Sequence, residues 1–344
     1  MERRHGGDCA AFEREYGFAP LDFSASVSPL GVPEGVRAAI AAAAGDCDRY
    51  PDPDCAALRA ALAAREGVTA DQILCGAGAS DLIYRAALAA MPRRALVTAP
   101  CFGEYEAALE MIGCEIARYP LDADFRLDAG VLREIDDNIE IIFLCQPNNP
   151  SGVTLEPTLL REVAATGVRL IVDECFLGFL DAPETYTMRR ELAQYPNLVV
   201  LDAFTKLYAL AGARLGYALC ADEAFMRAMR RAGPPWAVSS LAQTAGLAAL
   251  EETDYAERVR AITRTERSWL CDALSALGLR VVPGEANFLL FRSGTPLDAP
   301  LRERGILLRN CGDFAGLDER WYRIAVRTHE DNRRLVEAIG EVLS

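Results

Sequence analysis

From about residue 70 to residue 220, strand-sized apolar runs alternate with helix-prone stretches. The runs fall at 95–99, 115–119, 139–145, 169–172, 198–202 and 215–220. This repeated alternation of apolar runs with helical stretches is the pattern of a mostly parallel sheet covered by helices, because parallel strands need crossover connections. A long amphipathic stretch at 254–277 reads as a helix connecting two lobes. Beyond it the sequence predicts strands at 280–282, 288–291, 306–309 and 322–326, and a helix over 330–343. The expected fold class is therefore α/β, with a mostly parallel sheet in a large domain and a smaller α+β domain. The expected division is an N-terminal segment, 1–48, that completes the small domain, a large domain over 49–262, and the C-terminal small domain over 263–344.

Composition restricts the chemistry. A formal charge of −14 disfavours nucleic acid and anionic membrane as partners. The longest apolar runs are strand-sized and the first residues lack a hydrophobic leader, so the chain reads as cytoplasmic. The 11 cysteines are scattered without a CxxC pair, as expected of small core residues in a reducing compartment. Only two histidines exist, His5 and His329, which leaves little room for a histidine-based metal site or a Ser-His-Asp triad. No metal is expected. Among 36 Lys and Arg residues, one is a lysine, Lys206. Arginine replaces lysine as a surface charge, but its guanidinium stays protonated and cannot form a Schiff base with a carbonyl. The lone lysine is therefore either a leftover of arginine-biased usage or a residue kept for its amine.

Position separates these readings. In open α/β sheets, ligands sit beyond the carboxyl ends of the strands. Four such places carry unusual chemistry. Gly76-Ala77-Gly78-Ala79-Ser80 offers backbone N–H groups and a serine for a phosphate at the start of a helix. Gln146-Pro147-Asn148-Asn149-Pro150-Ser151-Gly152 offers amides in a rigid turn. Asp173-Glu174 places acids where an apolar strand emerges, and Thr205-Lys206 follows the next strand, with Arg214 eight residues on. Singly, each has an ordinary structural explanation as a turn, a cap or an ion pair. Jointly they supply the parts that an aldehyde cofactor needs.

These motifs resemble those of the fold-type I pyridoxal-phosphate (PLP) enzymes, in the branch that holds histidinol-phosphate aminotransferases and threonine-phosphate decarboxylases. Asn149-Pro150-Ser151-Gly152 is similar to the family's NPTG motif, Asp173-Glu174 to its DE pair, and Thr205-Lys206 with 212–217 to its lysine and arginine motifs. The resemblance implies PLP as cofactor, held covalently by Lys206. It further implies Asp173 on the pyridine nitrogen, Asn149 on the phenolic oxygen, Phe102 stacked on the ring, and Gly78, Ala79, Ser80, Thr205 and Arg214 around the phosphate. Tyr50 matches a tyrosine that reaches the neighbouring subunit's cofactor phosphate, implying a homodimer with shared sites.

The reaction depends on what orients the substrate. His5-Gly6-Gly7, Asp22-Phe23-Ser24-Ala25, Pro235-Trp236, the segment 323–327, and Phe176 in place of a tyrosine look more like the decarboxylases. Arg309, Arg323 and Arg327 offer bidentate donors for a small anionic amino-acid phosphate, with His5, Ser26 and Ser28 on the substrate side. Decarboxylase relatives carry asparagines where this chain has Ser26 and Ser28, and a serine where it has Ala203. The expected function is decarboxylation of threonine phosphate or serine phosphate, as in cobalamin biosynthesis. The alternatives are an aminotransferase of histidinol-phosphate type and, from another class, a silent PLP-binding regulator.

Overall fold

A computed structural model describes residues 5–344. Residues 1–4, where the absence of a leader was read, lie outside the described residues. The chain builds three sheets. A short strand, β1 (Leu21–Asp22), precedes the large sheet, whose strands are β2 (Ile73–Gly76), β3 (Arg94–Ala99), β4 (Glu115–Pro120), β5 (Ile141–Cys145), β6 (Arg169–Asp173), β7 (Leu198–Ala203) and β8 (Gly216–Cys220). There follow β9 (Arg280–Val282), β10 (Phe288–Arg292), β11 (Ile306–Leu307), β12 (Arg309–Asn310) and β13 (Trp321–Ala325).

The seven-stranded sheet has the order β2-β8-β7-β6-β5-β3-β4. The five strands from β7 to β4 pair in parallel, and β8 runs against both of its neighbours. Helices cover both faces, which is why the central strands are apolar throughout. Ile142, Leu144, Leu170, Val172, Leu198 and Val200 face one core, whereas Ile141, Phe143, Ile171, Val199 and Leu201 face the other. Each such side chain contributes about 1.5–3 kcal/mol on burial, so a one-residue slip in register would exchange two well-filled cores at once.

The second lobe packs around Phe23, Leu289, Phe291, Ile324 and Ile339. Its four-stranded antiparallel sheet has the order β12-β13-β10-β9, and β1 pairs in parallel with β11 beside it. Two details differ from the expected strands. The apolar run at 306–309 forms two strands rather than one, because β11 pairs with β1 and β12 turns to pair with β13. The run at 139–145 enters the sheet only at Ile141, since the Ile139 N–H closes a turn onto the Asp136 carbonyl. The connecting helix spans Tyr255–Ala276. Among the described residues, no helix is long and apolar enough to cross a membrane and no cluster of three or more His, Cys, Asp or Glu side chains could hold a metal.

Candidate active site

Because β2, β3, β5, β6 and β7 all run in one direction, the segments that leave their carboxyl ends meet on one side of the sheet. They enclose a cavity of about 160 Å³ that is lined by Ala79, Ser80, Phe102, Asn149, Asp173, Thr205, Lys206 and Arg214 from the large lobe. His5, Ser26 and Arg323 close it from the other side.

Lys206 sits in the single helical turn Phe204–Leu207 that follows β7. No carboxylate pairs with it among the described residues, and its Nζ lies 5.5 Å from the centroid of the Phe176 ring. Burial, followed by the nearby guanidinium of Arg323, lowers its pKa to about 8. A substantial fraction of the amine is thus neutral, and nucleophilic, near physiological pH. Asp173 is the last residue of β6 and is buried. Burial pushes its carboxyl above the usual range, against the opposing bonds from Cys175 and Tyr105. The Cys175 N–H donates to Oδ1 at 3.0 Å and the Tyr105 hydroxyl to Oδ2 at 2.7 Å.

The end of the cavity near Arg214 depends on a close approach. Gly78 caps the helix Ala79–Ala90 with φ +85°, and a Cβ there would lie 2.8 Å from Arg214 Nη2. Glycine lets the loop and the guanidinium share that space. Arg214 is held by the carbonyls of Ala77 and Ala211 at 3.4 and 3.2 Å. Ala79 and Ser80 form the first turn of the helix, where N–H groups have no intrahelical partner.

Two cavity-lining groups have buried polar atoms without protein partners, Ser26 Oγ and Arg323 Nε. Arg323 otherwise donates to Asn149 Oδ1 and, at 3.1 Å, to the Ser24 carbonyl. Its enclosure lowers its pKa to about 10. A smaller adjoining pocket is bordered by His5, Phe102, Arg309 and Arg323. Arg309 is there held at 2.8 Å by Asp313, over the ring of Phe314, and His5 Nε2 lies 3.1 Å from Glu104.

Two residues expected on the substrate side do not line the cavity, and Tyr50, expected to serve a neighbouring subunit, lies apart from it. Ser28 does not line the cavity: its hydroxyl bonds to the Tyr255 hydroxyl at 2.7 Å, and its N–H donates to the Lys206 carbonyl at 2.9 Å. Arg327 is likewise outside the cavity. Its guanidinium pairs with Asp331 and donates to the Asp22 carbonyl, both at 3.0 Å, which clamps β1 to the small lobe. Tyr50 is 82 % exposed and packs on Trp236 at 4.8 Å, away from this chain's own cavity. Conversely, sequence reasoning missed Tyr105 and the backbone N–H of Cys175. The available signal for Tyr105 was its place three residues after Phe102 in the first turn of a helix.

A family model described as aminotransferase class I and II matches residues 20–339. The chain belongs to this family. Class I and II aminotransferase relatives include a threonine-phosphate decarboxylase of Salmonella typhimurium, 38 % identical over 99 % of this chain and 96 % of that protein. A histidinol-phosphate aminotransferase of Symbiobacterium thermophilum is 37 % identical over 96 % of this chain and 93 % of that protein. The solved histidinol-phosphate aminotransferase of Sinorhizobium meliloti, in complex with pyridoxal-5'-phosphate, superposes with a TM-score of 0.85 at 25 % identity, covering 97 % of this chain and 94 % of that one. The fold is thus that of the fold-type I PLP enzymes, and the protein is a PLP-dependent enzyme. The residues present fit the cofactor: an amine without a carboxylate partner, a buried carboxylate, an aromatic face and the helix start beside Arg214 share one cavity.

Proposed function

We propose that this protein is a PLP-dependent decarboxylase of a phosphorylated amino acid, threonine O-3-phosphate or serine O-phosphate, releasing carbon dioxide and an amino-alcohol phosphate. The observation that carries this reading is the pair of buried arginines, Arg309 and Arg323, beside the lysine cavity. Two guanidinium groups suit a substrate with two anions, a carboxylate and a phosphate. Phe176 and the relation to the Salmonella decarboxylase support the same choice.

PLP, when bound, supplies an electron sink that draws density from Cα as one of its bonds breaks. Lys206 holds the cofactor through its amine, and Asp173 keeps a proton on the ring nitrogen. Asn149 would bond the phenolic oxygen, Phe102 would stack on the ring, and Gly78, Ala79, Ser80, Thr205 and Arg214 would hold the phosphate. Arg323 and Arg309, with His5 and Ser26, would orient the substrate's anionic groups, and that orientation would decide which bond at Cα breaks. The Lys206 amine, which lines the same cavity, would be placed to hold or return a proton at Cα.

Residues 49–262 form the large cofactor-binding domain in this reading, and 1–48 with 263–344 the small one. Tyr50 extends to the partner's cofactor phosphate in a homodimer with shared sites. Purified enzyme incubated with threonine phosphate, serine phosphate and histidinol phosphate, each with and without 2-oxoglutarate, tests the reaction. Carbon dioxide release without an amino acceptor is expected. Glutamate formation that requires 2-oxoglutarate would instead establish the aminotransferase, a reading supported by the Symbiobacterium relative.

A further inference from the structure

We propose that Tyr105 is a positioning residue that fixes Asp173 in its charged form and so governs the proton on the cofactor's pyridine nitrogen. This rests on the reading of Asp173 as that nitrogen's partner.

A buried carboxylate is costly unless its oxygens are bonded, and the identity of the donor decides what remains for a ligand. A cation would neutralise Asp173 and compete with a protonated ring nitrogen. Here the oxygens instead have neutral donors, the Tyr105 hydroxyl at 2.7 Å and the Cys175 N–H at 3.0 Å, with the Cys175 thiol beside them. Neutral donors stabilise the negative charge without cancelling it, and lone pairs are left for the cofactor. The other titratable groups around Asp173 are Cys145, Cys175, Lys206 and, further off, Asp202.

Tyr105 is suited to this role because it can neither ionise nor swing away. Its side chain is fully buried, and burial holds its phenol well above the usual range, so the proton stays on the donor. The ring stacks on Phe143 at 5.3 Å and meets Phe102 edge-on at 5.6 Å. Phe102 caps the helix Gly103–Met111, whose first turn contains Tyr105. One turn of helix therefore sets both the aromatic face against the ring and the hydroxyl against its acid.

Enzyme loaded with PLP labelled at the ring with 15N separates this role from a structural one, whichever reaction the enzyme performs. Removing a donor from Asp173 makes the carboxylate more basic, so in Tyr105→Phe the proton shifts toward Asp173 and the 15N resonance moves toward that of neutral pyridine. A roughly ten- to hundredfold fall in kcat with KM little changed should accompany it. If the Phe variant does not fold, 3-fluorotyrosine at position 105, a stronger donor, should move the resonance the opposite way. A resonance that responds to Asp173→Asn but to neither change at position 105 overturns the role of Tyr105 alone. One that ignores Asp173→Asn as well overturns the reading of Asp173.

Discussion

The floor and the wall of the cavity are built differently. On the floor, Asp173 and Lys206 leave neighbouring parallel strands whose register is fixed by two packed cores. The wall comes from the N-terminal segment and the small lobe, joined where the Phe23 N–H bonds to the Leu307 carbonyl and the Ala325 N–H to the Phe23 carbonyl, both at 2.8 Å. On the floor Lys206 has no carboxylate partner among the described residues, and Asp173 is held by neutral donors alone while lining the cavity. Wall arginines are already engaged, Arg309 with Asp313 and Arg323 with Asn149. The floor thus has the means for chemistry, and the wall has the means to exchange one set of polar partners for a substrate.

The largest expected effect tests the floor. Lys206→Ala should abolish cofactor fixation by borohydride, read by intact mass, and lower activity by on the order of a thousandfold or more. The same amine sets a pH dependence. Its folded pKa lies below the ordinary lysine value, so the neutral form gains as pH rises, and cofactor loading of the apoenzyme should accelerate to half its plateau near pH 8. A loading rate flat between pH 6 and 9 would contradict an amine tuned by its enclosure. On the wall, Arg309→Gln should raise KM for a phosphorylated substrate by roughly 10- to 100-fold, with a smaller change in kcat. An equal loss in kcat would mean that the wall takes part in the bond-breaking step. The smallest effect belongs to Ser28→Ala, which should cost about 1 kcal/mol in denaturant unfolding for the lost bond to Tyr255. A tenfold rise in KM there would return Ser28 to the substrate side.

The same division explains what was legible in the sequence. Asp173 directly follows an apolar run, Asn149 and Lys206 each come four residues after one, and strand ends of a parallel sheet converge, so local pattern pointed to them. Ser28 and Arg327 looked equivalent to Ser26 and Arg323 because proximity in sequence does not disclose the direction of a side chain. Arg323 lies on β13 and points into the cavity, whereas Arg327, beyond the strand, turns back to hold β1. Tyr105 was hidden because its partner is 68 residues away and the bond depends on the packing of a helix against the sheet.

That the enclosed amine of Lys206 belongs to the only lysine gives the protein an analytical simplicity. A lysine-specific protease acting on the unfolded chain has one site, yielding residues 1–206 and 207–344. Any adduct fixed on that amine abolishes the cut. The ratio of intact chain to fragments would therefore report occupancy directly, without a chromophore, a substrate or knowledge of the reaction.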